Sequence, residues 1–417
     1  MQNKPMINLP QGWEVKKLEE IANIKGGKRL PKGENLLDNN TKFAYIRVAD
    51  FQDNGTINLQ NIKFINENTY DILKNYKIYD DNLYISIAGT IGKSGIIPKE
   101  LNGAILTENA VKLEYIQNNI SNKFMYFFTL SNIFKTQIQT STKIVAQPKL
   151  AITRLKQIEI TLPSLKEQER IVGILDESFA NIDESIKILE QDLLNLDELM
   201  QSALQKAFNP LKDDAKENYK LPQGWEWKSL GDITEISSGG TPSRSKKEYW
   251  ENGTIPWVKI KDIKEKFIST TEEFITEDGL KNSSAKLFKK GTLLYSIFAT
   301  LGEVAILDID ATTNQAIAGI NIKENNINSL YLMYFLRSIK DEICSKGRGV
   351  AQNNLNLTIL KQIEIPLPPL QEQEQIVSHL DELSSHVKNL KQNYQAQIKN
   401  LQELKKSLLN KAFQGRL

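Results

Sequence analysis

The 417-residue sequence holds a single cysteine, Cys344, and only two histidines, His379 and His386. A disulfide framework within the chain is therefore excluded, and no His/Cys set for a zinc site exists. No run of about eighteen apolar residues occurs, and the opening MQNKPMINLPQGW lacks the uninterrupted apolar segment of a signal peptide. These absences predict a soluble, cytoplasmic protein. An excess of one charge is also missing, with 53 Lys+Arg against 51 Asp+Glu, so the overall balance says little about polyanionic partners. Catalytic signatures are wanting too. The Asn/Asp-Pro-Pro-Tyr/Phe loop of an amino-methyltransferase does not occur, nor does a convincing helicase motif. AGTIGKS at Ala88 to Ser94 ends like a phosphate-binding loop, but that motif needs a glycine where Ile87 stands, so a tight structural turn is the simpler reading.

What the sequence does have is itself, twice. LPQGWE at Leu9 to Glu14 returns unchanged at Leu221 to Glu226, an offset of 212. Tyr45-Ile46-Arg47-Val48-Ala49-Asp50 answers Trp257-Val258-Lys259-Ile260-Lys261-Asp262 at the same offset. Ser86 to Gly92 pairs with Ser296 to Gly302, and Val145-Ala146-Gln147 with Val350-Ala351-Gln352, by which point the offset is 205. From there the register holds: QIEITLPSLKEQERIVGILDE (157–177) aligns with QIEIPLPPLQEQEQIVSHLDE (362–382), and Lys206-Ala207-Phe208 with Lys411-Ala412-Phe413. Each copy thus has a front of variable length, where loops drift, and a rear of fixed length.

The rear is read as helix. In copy one, apolar or small residues fall at Ile171, Leu175, Ser178, Ile182, Ile186, Leu189, Leu193, Leu196, Met200, Ala203 and Ala207, in the three- and four-residue steps of one helical stripe. Ser164 and Glu167 suggest a capping box at its start, and Pro210 follows its end. Copy two repeats the stripe at Ile376, Leu380, Leu383, Val387, Leu390, Tyr394, Ile398, Leu401, Leu404 and Leu408. Two such helices, joined by a polar linker, are expected to bury their stripes against each other in a two-fold, antiparallel arrangement. The fronts read as mixed α and β. Lys42 to Val48, Leu83 to Ile87, Ala104 to Leu113, Ile255 to Ile260, Gly291 to Ile297 and Ala316 to Ile322 are β-rich, while Asn122 to Ser131 and Ser329 to Ser338 are short helices. The predicted class is α+β: two mixed α/β domains in a tandem repeat with a pair of long coiled-coil helices. The expected bounds are 1–163 and 221–368 for the domains, 164–208 and 369–413 for the helices, and 209–220 for the linker. Residues 1–160 carry 21 Lys+Arg against 15 Asp+Glu and 161–215 carry 5 against 12, so only the first front is basic.

The LP.GWE start of each copy, SSGGTPSRSKKEYWENGTIPWVKIKDI at 237–263, the threonine-glycine turn and LP.L.EQE.IV at each helix start together resemble the target-recognition family of Type I restriction-modification specificity subunits, over essentially the whole chain. Copy one departs from the pattern between Gly27 and Lys42, where GKRLPKGENLLDNN replaces the Gly-Thr-Pro motif. The resemblance implies a subunit without chemistry or cofactor of its own, whose two recognition domains each read one half of a bipartite site on double-stranded DNA. It implies partners as well: two methyltransferase subunits docked on the helices, and restriction/translocase subunits, with S-adenosylmethionine, ATP and Mg2+ used by those other chains.

The candidate DNA contacts are Lys28 and Arg29 in copy one, Arg244, Lys246 and Lys247 in copy two, Thr90 and Lys93 in the turn, and Lys143 and Arg348 near the end of each front. Arginine is the better base reader, because its fork matches guanine O6 and N7. Against this stands the plain alternative that surface Lys and Arg are solvated. Tyr249, Trp250 and Trp257 offer stacking faces but, like Trp13 and Trp225, are more simply core. Two other functions fit the same outline: a specificity subunit of a related system with a fused methyltransferase-nuclease partner, or a protein-only coiled-coil scaffold. Two diverged fronts favour a reader of two different half-sites over a symmetric scaffold.

Overall fold

The computed structural model describes residues 9–141, 149–208, 221–347 and 355–417. The linker 209–220, the Val-Ala-Gln pair, Lys143 and Arg348 lie outside them. The chain forms two compact units, 1–189 with 395–417, and 190–394.

In the first unit the start and end of the front close on each other. Strand Glu14–Lys17 pairs antiparallel with Glu159–Leu162, and a single helical turn, Leu18–Ile21, leads into a four-stranded sheet. Its strand order is 22–26, 110–115, 83–86, 94–96, all antiparallel. A second sheet, in the order 63–64, 44–46, 104–106, 77–78, contains one parallel pairing, between Ala44–Ile46 and Ala104–Leu106. Helix Asn122–Leu130 starts where the Ser121 hydroxyl accepts from the amide of Phe124, and its apolar face lays Phe124, Met125 and Phe128 into the core with Leu83, Ile85, Val111 and Leu113.

The second unit repeats the plan. Glu226–Ser229 pairs with Glu364–Leu367, and a five-stranded sheet runs 234–238, 317–322, 293–296, 304–307, 267–268. A three-stranded sheet, 273–275, 255–258, 312–313, keeps the parallel pairing. Helix Ser329–Ser338 is capped by Asn328 and buries Tyr331, Leu332, Tyr334 and Phe335. The β-rich segments and both short helices read from the sequence stand where they were expected; strand order was not legible from it.

The rears are helices of 44 residues, Leu165–Phe208, and 43 residues, Leu370–Ala412. Every stripe residue of copy one is buried or half-buried. Within the first unit the helix segments run antiparallel: Lys405 reaches Asp183 at 2.6 Å, while Arg170 donates to the carbonyl of Leu417 at 2.9 Å. Within the second, Lys391 pairs with Asp197. Copy two's stripe needs a correction. Leu390 and Leu404 are exposed, and Lys391 and Lys405, one position on, are the less exposed side chains there. Each ammonium keeps its charge on a cross-helix carboxylate while its stem covers apolar surface. The capping box is also absent: the Glu167 carboxylate takes two hydrogen bonds from Arg170, both at 2.8 Å.

The LP.L.EQE motif has a structural reason. Gln168 is 1% exposed, accepts from the Ser121 amide at 2.9 Å and donates to the carbonyls of Asn119 and Pro163. Gln373, equally buried, accepts from the Asn328 amide at 2.9 Å and donates to Asn326 and Pro368. An amide that both donates and accepts satisfies buried backbone groups on both sides, clasping helix start to front.

Each front also receives the end of the other copy's helix. Leu409, Ala412 and Phe413 belong to the core of the first unit, where the Phe413 ring lies 4.9 Å from Phe124 and 5.5 Å from Phe128. Leu204 and Phe208 belong to that of the second, with Phe208 5.0 Å from Tyr331 and 5.7 Å from Phe335. The repeated Lys-Ala-Phe is thus a plug, a role the sequence did not disclose.

Candidate nucleic-acid interface

In copy two the Gly-Thr-Pro loop is held tightly. A side chain at Gly239 would strike Thr313, and one at Gly240 would strike the backbone of Ser284, so only glycine lets the loop pass this close. The Gly240 carbonyl accepts from the indole of Trp257 at 3.1 Å, and the Ser243 carbonyl accepts from that of Trp250 at 3.1 Å. The two rings meet edge-on at 5.0 Å, with Trp257 buried as core and Trp250 half-buried. Arg244 lies over them, its guanidinium 3.6 Å from the Trp250 ring and 4.8 Å from that of Trp257. It also pairs with Glu273 at 2.6 Å, which Lys259 engages from another side. Burial would raise the Glu273 carboxyl, but the hydrogen bond from Lys259 and the paired charge of Arg244 outweigh it and hold the group below the usual carboxylate range. With 53% of its side chain exposed, Arg244 is positioned yet reachable. Lys246 donates to the Tyr249 hydroxyl at 2.9 Å, whereas Lys247, with 83% of its side chain exposed, only approaches Glu251 at 3.8 Å.

In copy one a side chain at Gly27 would strike the carbonyls of Leu106 and Thr107, and the amide of Lys28 donates to that same Leu106 carbonyl. The Lys28 carbonyl accepts from the Tyr45 hydroxyl at 2.8 Å. Arg29 pairs with Glu108 at 2.7 Å, with no ring stacked on it among the described residues and 79% of its side chain exposed. Burial pushes the Glu108 carboxyl up, but Arg29 and Thr107 hold it lower than usual.

The turn resembling a phosphate loop is a matched structural device. The Ser86 hydroxyl donates to the Thr90 carbonyl and accepts from the Lys93 amide at 2.9 Å. Ser296 repeats this with Thr300 and with Glu303 at 2.8 Å. Gly89, at φ 74°, is answered by Ala299 at φ 61°, a left-handed conformation that costs alanine more. Thr90 is exposed, and Lys93 pairs with Asp53 at 2.8 Å. Sequence reasoning overlooked Arg47 and Lys259. Both precede a short 3-10 turn and donate from their own amides to its closing carboxylate, Asp50 at 2.7 Å and Asp262 at 2.8 Å. The signal was available, a basic residue at one repeat position with Asp three residues on. Among the described residues no group of three His, Cys, Asp or Glu could hold a metal ion, and no helix is long and apolar enough to cross a membrane.

Two α/β fronts, each clasped to a long helix, define the class of chain. The sequence matches the Type I restriction modification DNA specificity domain over residues 10–193 and again over 222–400, and the chain belongs to that family. It is 35% identical over 176 residues to the MjaIX specificity subunit of Methanocaldococcus jannaschii, covering 41% of this chain and 40% of that protein. This aligned part is thus about two fifths of the relative's length. The EcoBI specificity subunit of Escherichia coli is 24% identical over 435 residues, 99% of this chain and 88% of the relative. Among solved structures, a chain described under complex assembly and conformational transition of the type I R-M system superposes with a TM-score of 0.80 at 22% identity, covering 98% of this chain and all of that one. The HsdS subunit from Thermoanaerobacter tengcongensis gives a TM-score of 0.63 at 21% identity, with 98% of each chain covered.

Proposed function

We propose that this chain is the non-catalytic reader of a bipartite DNA site, with residues 1–163 and 221–368 acting as two target-recognition domains in the cytoplasm. Each takes one half-site of double-stranded DNA. Arg29 with Lys28, and Arg244 with Lys246 and Lys247, are the leading contacts, joined by Thr90 and Lys93 and, outside the described residues, Lys143 and Arg348. The helices 164–208 and 369–413, with the linker 209–220, set the spacing and dock two methyltransferase subunits, which use S-adenosylmethionine. Restriction/translocase subunits supply ATP- and Mg2+-dependent work.

The observation that carries this reading is duplication with divergence at the loops: one plan, written twice, presents a stacked arginine in one copy and an unstacked one in the other. Helix length supports the spacing role, since the helices differ by one residue while the fronts differ by a net seven. Four residues inserted after Leu189 and four after Tyr394 would lengthen each helix by about 6 Å and keep its register approximately. At about 3.4 Å per base pair, methylation mapping in cells should then show both half-sequences kept and the non-specific spacer longer by one or two base pairs. An unchanged spacer with full activity would show that helix length serves docking instead. Adenine methylation by the purified chain with S-adenosylmethionine alone would overturn the non-catalytic assignment.

A further inference from the structure

Where helix Ser329–Ser338 meets the second long helix, the second unit has a polar cleft of about 280 Å³ that is open to solvent. Four cations line it, Lys264, Lys266, Arg337 and Lys388, against two carboxylates, Glu265 and Asp381, with the hydroxyls of Ser384 and Ser385 beside them. The carboxylates are spoken for. Asp381 takes Lys266 at 2.5 Å and the Tyr334 hydroxyl, and Glu265 takes Lys388 at 3.0 Å. Arg337 and Lys264 have no ion-pair partner among the described residues. Arg337 is half-buried, and among the described residues its guanidinium makes one hydrogen bond, to the Val304 carbonyl at 3.2 Å. Burial holds its pKa below the ordinary arginine value, with Tyr334 and nearby carboxylates acting in the opposite direction, but a guanidinium stays charged at neutral pH. A half-buried guanidinium bordering the cleft, with no carboxylate paired to it among the described residues, has donors to offer an added anion.

Copy one shows how the same place looks when it is only packed. Counting from the helix caps Ser121 and Asn328, Phe127 stands for Tyr334 and Leu130 for Arg337; in the long-helix register Phe179 stands for Ser384 and Asp183 for Lys388. There Phe127 and Phe179 meet edge to face at 5.5 Å, and Lys405 sits 4.7 Å from the Phe179 ring. Phe, Phe and Leu have become Tyr, Ser and Arg.

We infer that this cleft of copy two is a binding site for one phosphate-class oxyanion, taken by the fork of Arg337 with Lys264 and the Ser384 and Ser385 hydroxyls. The planar fork suits two oxygens of a tetrahedral anion, and the hydroxyls supply neutral donors. Free phosphate and a backbone phosphate of DNA share this chemistry, and only the second source rests on the DNA-reading function proposed above.

Arg337→Leu installs copy one's residue, and Lys264→Ala changes an exposed side chain, so at least one variant retains the fold. Inorganic phosphate titrated into the full-length chain against chloride at constant ionic strength should raise Tm for wild type and not for either variant. For duplex DNA, the slope of log K against log salt should flatten by about 0.9 in each variant, as one phosphate contact is lost. Phosphate stabilisation lost in the variants with the DNA slope unchanged assigns the site to free anion; loss of both assigns it to the DNA backbone. If wild-type chain fails to bind DNA at all, the phosphate titration still decides the inference. No phosphate effect on wild type together with unchanged slopes would overturn it, as would variants whose sole defect is weaker association with a partner subunit, since the cleft would then hold an acidic side chain.

Discussion

Copy one offers Arg29 on a single carboxylate with four fifths of the side chain in water, whereas copy two braces Arg244 between Trp250, Trp257 and Glu273. The Gly-Thr-Pro loop explains the difference: its two glycines let the backbone pass against Thr313 and Ser284, and the tryptophans then have carbonyls to bond. Copy one keeps one of these close glycines, Gly27, and has no paired tryptophans under Arg29; there Lys28 lies over the single ring of Tyr76 at 5.9 Å. The comparison separates what the repeat needs for folding, shared and buried, from what each copy is free to vary, exposed and at loops.

The largest expected effects test the shared part. Phe208→Ala and Phe413→Ala should each cost about 3–5 kcal/mol, the usual range for a buried phenylalanine in a well-packed core. Hydrogen exchange should show the loss in 221–368 for the first and in 9–162 for the second. Each variant weakening only the front of its own copy would break the exchange of helix ends described above.

Next come the clasps. Gln168→Leu and Gln373→Leu should each destabilise by about 2–3 kcal/mol, because a buried amide and its neighbouring carbonyls lose their partners. Denaturant melts should give similar values for the two, and a difference beyond about 1 kcal/mol would show that the copies do not use this residue alike.

Arg244→Ala should weaken reading of one half-site by about 1–3 kcal/mol and leave the other unchanged, measured with half-site variants of the duplex. Trp250→Ala should act on the same half-site by about 0.5–2 kcal/mol, the range of a cation–π contact. An equal loss at both half-sites would count against independent readers.

The smallest effect belongs to the lysines that interrupt copy two's stripe. Lys391→Ala and Lys405→Ala should each change stability by about 1 kcal/mol or less, as partly exposed ion pairs do, with the difference shrinking at high salt.

Much of this architecture was legible because periodicity and self-similarity are written directly in the chain. Ile171, Leu175, Ile182 and Leu196 repeat at helical steps and are buried as those steps imply. Leu390 and Leu404 also repeat at those steps and are exposed, since periodicity identifies a face and not the partner that Lys391 and Lys405 find across it. At the candidate interface, sequence could place Arg244 in a glycine-rich loop. It could not reveal Glu273 or Glu108, because an ion pair between residues 29 and 79 positions apart depends on strand order. Arg337 was missed for a similar reason: on a strongly apolar helix it passes for a surface residue until its neighbours are known.

The exchanged helix ends also govern the order in which the chain can fold as it is synthesised. The hydroxyl of Thr161 donates to the carbonyl of Phe413 across 252 residues, and the ring of Phe413 completes the core that Phe124 and Phe128 begin. The second front has its plug, Phe208, already made when its own strands emerge. The first front must wait, its apolar pocket open, until nearly all of copy two has left the ribosome, so the part of the protein made first is the last to be finished.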